Sequence, residues 1–334
     1  MEILAKALGQ VSLGDHVCFK NLAMFPLLNG PQREPDYLTL DEAMSKSYLH
    51  ITEVSTGGSV PELKCTNEGD LRVLLLDGEE LVGAKQNRVL NLTILVPPMS
   101  TIVIPVSCVE AGRWSDVWHE LTAASTLHYS AGRARRMKSV SGHMAQSGSR
   151  QSDQAAVWED IAAKADRLHA RSSTHAMSAI FGQHQGPIED YVRAFDSPSG
   201  QVGAVFAING DIIGCDLFDS AATLRKLMAK LVSSYALDAI DLVKETAPEP
   251  GADEIKEFLS LVGRAETRAF PSVGIGDDVR LSGPGITGAA LVAGGRVIHL
   301  GAFVLEEQAQ REPEYPEAQS NLARPSRRRG FRTT

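Results

Sequence analysis

Between Val17 and Val109, apolar and polar positions alternate in short runs: CFKNLAMFPLL, YLHITEV, LRVLLLDGEELVGAKQNRVLNLTILVPP and TIVIPVSCVE. Runs of this length, separated by DG, PP and GG punctuation, predict hairpins packed as a mostly antiparallel sheet or roll. The period then lengthens. SDVWHELTAAS has helical spacing, and AAVWEDIAAKADRLHA places Val157, Ile161, Ala165 and Leu168 on one helical face behind Asp153 as N-cap. Between them, SAGRARRMKSVSGHMAQSGSRQSD is small, polar and basic without an evident apolar stripe, and is expected to be an exposed loop. IEDYVRAF continues the helical region, and QVGAVFAINGDIIGCDLF returns to a hairpin. AATLRKLMAKLVSSYALDAIDL is an amphipathic helix with Leu224, Leu227, Met228 and Leu231 on one side. DEIKEFLSLV gives a shorter helix, and RAETRAFPSVGIGDDVRLSG and GAALVAGGRVIHLGAFVL give closing strands with a GG turn.

The fold class expected is therefore α+β, with a β-rich N-terminal half and a mixed helix-and-hairpin C-terminal half. Residues 14–114 form the β-rich region, 115–152 a helix and basic loop, 153–305 an α+β region, and 306–334 a flexible basic tail. These pieces make one large domain or two tightly packed ones.

Composition narrows the function. Hydrophobic residues make up 43% of the 334 and charged residues 22%, so the chain has enough apolar surface for a core without metal or disulfide staples. Lys and Arg number 33 against 41 Asp and Glu, a net charge of −8, which argues against a nucleic-acid-binding surface except through the basic loop or tail. Those two segments hold Arg133, Arg135, Arg136, Lys138 and Arg150, and Arg324, Arg327, Arg328, Arg329 and Arg332, without interleaved aromatics for base stacking. No apolar run is long enough to span a bilayer, and the first residues lack signal-peptide features. Cys18, Cys65, Cys108 and Cys215 form no CxxC pair and are expected to be reduced thiols in a cytoplasm.

The densest polar cluster within apolar sequence runs through Glu79, Glu80, Lys85, Gln86, Asn87 and Arg88, followed by Ser107, Cys108, Glu110, Arg113 and Trp114. Alternate side chains on a strand share a face, so two such strands can surround one pocket. The expected ligand-binding set is Lys85, Gln86, Asn87, Arg88, Arg113 and Trp114: arginine grips phosphate or carboxylate, and the amides read polar groups. Glu80 or Glu110 would be the general base. The competing reading is a sheet face laced with cross-strand ion pairs. Cys108 lacks a local histidine and reads as a buried small hydrophobe, as does Cys215. His299 stands alone on an apolar strand, where a satisfied core histidine is the commoner role. No histidine pair has metal-ligand spacing, so no metal site is expected and no cofactor is assigned. VGIGDDVRLSGPGITG matches neither a P-loop nor a strand–GxGxxG–helix unit, and its glycines read as turns.

LLLDGEELVGAKQNRVLNLTILVPP and IPVSCVEAGRW resemble the prokaryotic family named for its association with ADP-ribosylglycohydrolases and rhodanese-phosphatase proteins. The likeness continues through DQAAVWEDI, SYALDA and VIHLGAF, from Gly14 to Phe303. It implies a place in bacterial conflict or nucleotide-processing neighbourhoods and a link to ADP-ribose or another NAD-derived ligand, and it carries over no catalytic residues. Two functions follow as expectations. One is binding or processing of an anionic, nucleotide-like small molecule; the other is a non-catalytic subunit docking on a partner enzyme through residues 130–153 or the tail.

Overall fold

The computed structural model describes residues 2–29, 33–115, 120–243 and 249–305. In chain order, α1 (Glu2–Gly9) leads into β1 (Ser12–Leu13), β2 (Val17–Phe19), β3 (Leu22–Leu28), β4 (Tyr37–Thr39), α2 (Leu40–Ser45) and β5 (Leu49–Glu53). There follow β6 (Glu62–Asn67), β7 (Arg72–Leu75), β8 (Glu79–Gly83), β9 (Arg88–Leu90), β10 (Ile94–Val96), β11 (Ser100–Cys108) and β12 (Glu120–Leu127). Four helices come next, α3 (Ser130–Ser147), α4 (Gln154–Arg167), α5 (Met177–Gln183) and α6 (Gln185–Ala194). The chain then forms β13 (Gln201–Ile208), β14 (Asp211–Phe218), α7 (Ala221–Asp241), α8 (Ala252–Arg264), β15 (Glu266–Pro271), β16 (Asp277–Gly283), β17 (Ile286–Ala293) and β18 (Arg296–Val304). The fold is α+β.

Two β-structures dominate. A closed barrel runs β11-β6-β5-β12-β8-β9, its interior filled by alternating side chains such as Leu49, Ile51, Leu63, Leu81, Ile104 and Leu121. Beside it lies a three-stranded sheet, β10-β7-β4, whose β4–β7 pairing is parallel. The second is an antiparallel sheet, β1-β3-β13-β14-β18-β17-β16-β15, with β2 also paired to β3. CFKNLAMFPLL therefore joins the C-terminal sheet rather than the barrel. On one face of this sheet lie α1 and α8, packing Leu4, Ile255, Phe258 and Val262 onto Phe25, Val205 and Leu281. On the other, α7 stacks Tyr235 on Phe206 with centroids 4.1 Å apart.

Helix α7 carries the expected Leu224, Leu227, Met228 and Leu231 in the core. Its polar side is buried as well, because it closes on the barrel side of the molecule: Ser234 Oγ donates to the His128 carbonyl at 2.7 Å, and Lys230 Nζ donates to Glu79 Oε1 at 2.9 Å. Helix α4 begins where expected, with Asp153 Oδ1 accepting from the Ala156 N–H at 3.1 Å.

Two expectations are corrected. SDVWHELTAAS is not helical where described: residues 120–127 are strand β12, pairing with β5 and β8 to close the barrel, with a register break between Ala123 and Leu127. The expected loop from Ser130 is helix α3, ended by Gly148 in the left-handed conformation at φ 74°. Its buried stripe comprises Arg133, Arg136, Met137, Val140 and Met144. Because arginines occupy two of the core-facing positions, the stripe does not look apolar. Arg133 and Arg136 are fully buried and not available to a phosphate or a partner, whereas Arg135 and Lys138 remain on the exposed side of the helix. The tail, with Arg324, Arg327, Arg328, Arg329 and Arg332, lies outside the described residues.

The glycines of VGIGDDVRLSG serve close packing. A Cβ at Gly274 would sit 2.2 Å from the Leu95 carbonyl oxygen, which accepts from the Ile275 N–H at 2.8 Å. Only a glycine lets this loop of the large sheet approach β10 so closely. No described helix is long and apolar enough to cross a membrane.

Candidate functional site

The hairpin between β8 and β9 turns through residues 84–87, with Ala84 at φ 41°. This turn folds the Asn87 side chain back so that its Oδ1 accepts from the Gly83 N–H at 3.3 Å and from Arg113 Nη2 at 3.0 Å. Strand β11 ends at Cys108, and the chain leaving it presents Glu110 to the same turn. Glu110 Oε2 accepts from the Asn87 N–H at 3.1 Å and from Arg113 Nε at 2.9 Å; Oε1 accepts from Thr174 Oγ1 at 2.7 Å. Gln86 Nε2 donates to the Glu110 carbonyl at 3.1 Å, and Arg113 Nη1 donates to the Ala84 carbonyl at 2.6 Å. The two polar clusters, 79–88 and 107–114, thus meet at one place on the barrel wall.

Glu80 pairs with Val89 in register, and Val89 packs outward against α4 and α5, so Glu80 lies on the outer barrel wall beneath the helices. It is fully buried. Thr126 Oγ1 donates to its Oε2 at 2.7 Å, while Oε1 has no hydrogen-bond partner among the described residues. Burial pushes the Glu80 carboxyl up to about 7, and the nearby Glu110 charge adds to the rise against the Thr126 hydroxyl and the Asn87 amide. Glu110 goes the other way. Burial opposes its ionisation, but the Arg113 guanidinium, the Thr174 hydroxyl and the Asn87 N–H together outweigh that and hold it below the ordinary carboxylate value. Neighbouring carboxyls are thereby driven apart in acidity.

The remaining expected residues frame this pair. Arg88 is fully buried, with Nε donating to the Val60 carbonyl at 3.2 Å and Nη2 3.9 Å from Glu53 Oε1. Trp114 is 47% exposed, and its ring lies 5.7 Å from both Lys85 Nζ and Arg88 Cζ. Each of these pairs is a cation–π contact beside an open aromatic face. Buried Gln86 Oε1 and Arg88 Nη2 have no hydrogen-bond partner among the described residues. Cys108 is buried and its thiol is pushed up, chiefly by burial, as befits a packed side chain. Ser107 Oγ donates to Asn91 Oδ1 at 2.6 Å.

A second polar assembly, not anticipated from sequence, is buried where the barrel meets the large sheet. Arg133 reaches Asp216 from α3, and Arg136 Nη2 donates to Asp77 Oδ1 at 2.5 Å. His299 accepts or donates at both ring nitrogens, with Thr93 Oγ1 at 2.9 Å from Nδ1 and Asp216 Oδ1 at 3.1 Å from Nε2. A cavity lined by Asp77, Asn91, Thr93, Arg280 and His299 leaves about 10 Å³ for the centre of a water molecule, room for roughly one. The dimensions suit an internal ionic tie, not a nucleotide site, and His299 is the satisfied core histidine. The signal in the sequence was Arg133 and Arg136 sharing a helical face with Met137, Val140 and Met144.

No curated protein and no solved structure matches the chain. Residues 10–303 match the family model described as the ARG and Rhodanese-Phosphatase-superfamily-associated Protein domain, a span covering both polar assemblies and nearly all of the described fold. The chain belongs to that family.

Proposed function

We propose that the chain binds and hydrolytically processes an anionic, nucleotide-like small molecule of the ADP-ribose or NAD-derived class at the Glu80–Asn87–Glu110–Arg113 cluster. The observation carrying this reading is the contrast between two neighbouring carboxyls. Glu80 is fully buried with one oxygen lacking a partner among the described residues, while Glu110 is held by Arg113, Thr174 and the Asn87 N–H. This arrangement raises the pKa of the first and lowers that of the second. General acid–base catalysis is most effective when the catalytic group's pKa is near the working pH. Glu80 takes the proton of the attacking water and returns it to the leaving group as the bond to the sugar or phosphate breaks. Glu110 holds Arg113 and the Asn87 turn in place. Arg88, Arg113 and Lys85 supply the positive field for phosphate, Gln86 and Asn87 the polar contacts, and the open face of Trp114 a platform for a base. The family's name, which records association with ADP-ribosylglycohydrolase and rhodanese-phosphatase proteins, supports a nucleotide-processing setting.

The same name favours a second reading, a non-catalytic subunit acting on a partner enzyme. A thermal-shift screen of the full chain against ADP-ribose, NAD and linear and cyclic nucleotides separates the two, because a ligand binding only the folded state raises the melting temperature. The proposal expects a rise with at least one compound that is lost in Trp114→Ala. Absence of any rise in the well-folded chain overturns it in favour of the subunit reading.

A further inference from the structure

Strand β2 brings a second kind of chemistry to the edge of the large sheet. His16 immediately precedes it and Cys18 lies within it, two positions apart, so both project to the same side of the extended chain. Glu249, 233 positions from His16, reaches back to them, with Oε2 2.9 Å from His16 Nε2. One donor atom from each of His16, Cys18 and Glu249 lies within 4.8 Å of the others, and all three residues are exposed. The imidazole is held in place by stacking on Phe25, with ring centroids 5.1 Å apart and planes inclined by 20°. The three sit beside a cleft of about 480 Å³ whose walls include Cys18, Glu249, Lys20, Asn21, Tyr191 and Asn209.

We propose that His16 Nε2, Cys18 Sγ and a Glu249 carboxylate oxygen form a three-ligand site for a thiophilic divalent cation of the Zn²⁺ class, with the fourth position facing this cleft. Imidazole, thiolate and carboxylate together select zinc over calcium or magnesium, which take oxygen-rich shells. With metal–ligand bonds of about 2.0–2.3 Å, tetrahedral donors stand roughly 3.5 Å apart, so the present spacing needs only side-chain adjustment. Three protein ligands and one open position is the arrangement of catalytic rather than structural zinc. The open position takes water or a small anion, and Lys20, whose ammonium lies over the Phe19 and Tyr191 rings, lines the same cleft. The pairing escapes sequence inspection because the H-x-C pair is incomplete without a residue from the far end of the chain.

The test is Co²⁺ titration of the full-length, chelator-treated protein, read by absorption. One equivalent is expected to give the intense ligand-field bands of four-coordinate cobalt and a thiolate-to-cobalt charge-transfer band. Cys18→Ser should abolish the charge-transfer band, and Glu249→Gln should weaken binding, with the circular dichroism of both unchanged because these side chains are exposed. Cys65, Cys108 and Cys215 are buried and do not substitute for Cys18. Absence of a charge-transfer band in the wild-type chain, or a band that survives Cys18→Ser, overturns the proposal. The site is remote in sequence from Glu80 and Glu110, and its fate is independent of theirs.

Discussion

Arg133 and Asp216 meet in a two-pronged hydrogen bond, Nη1 to Oδ2 at 3.1 Å and Nη2 to Oδ1 at 2.6 Å, with both side chains shut off from solvent. The arginine comes from α3, packed below the barrel, and the aspartate from β14 of the large sheet. Tyr235 of α7 donates to the same carboxylate at 3.2 Å, and Phe303 lies 4.9 Å under the guanidinium. One ion pair thus ties together the helical layer and the sheet.

Removing one partner leaves the other charge buried without its nearest counter-charge, with only Asp77 at 3.7 Å left for Arg133, or Tyr235 and His299 for Asp216. Asp216→Asn or Arg133→Met is expected to destabilise the fold by roughly 3–5 kcal/mol, measured by urea unfolding. The double variant Arg133→Met with Asp216→Leu should recover much of that loss. A loss in the double equal to the two singles added would show that the pair does not act as a unit.

Glu80 makes stability depend on pH. Its folded-state carboxyl titrates near 7 against an ordinary 4.5, so between those values the native state holds a proton that the unfolded chain has released. Stability is therefore full below the ordinary value and declines as pH rises through about 7, by about 3 kcal/mol in all. Glu80→Gln cannot ionise, and its stability relative to wild type should rise by about this amount between roughly pH 4 and pH 8. Parallel curves for the two proteins would place the Glu80 carboxyl at its ordinary acidity.

At Gly274 the constraint is steric. Gly274→Ala drives a methyl group against the Leu95 carbonyl and breaks the approach of the two sheets, with an expected cost of roughly 2 kcal/mol in thermal or urea unfolding. Gly285, which has open space around its Cβ but a φ of 69°, is a comparison site where Ala meets backbone strain alone.

Elements whose pattern is local were legible in the sequence. The β13–β14 hairpin, α7, α8 and the Asp153 cap of α4 follow from period, turn residues and capping chemistry within a dozen positions. Strand β12 and helix α3 did not, for opposite reasons. The spacing around Leu121 fits either element, and the strand wins because the barrel needs it between β5 and β8. In α3 the core face is written partly in arginine, which reads as solvent-facing until Asp77 and Asp216 arrive from other elements. At the candidate site, alternation left open whether the clusters at 79–88 and 107–114 converge; the meeting of Asn87, Glu110 and Arg113 depends on the chain beyond the end of β11 at Cys108, where strand alternation no longer applies. That Glu80 is the buried carboxyl and Glu110 the paired one depends on Val89, Thr126 and Thr174, which sequence proximity does not supply.

The claim that Glu80 is the proton-transfer group of a hydrolase is tested most directly by mass-spectrometric detection of products from ADP-ribose, NAD and the nucleotide panel, comparing wild type with Glu80→Gln. The account predicts turnover by wild type that rises with pH through about 7 and falls at least ~100-fold in a folded Glu80→Gln variant. Turnover that survives Glu80→Gln unchanged, or no product from any of these substrates, would contradict it.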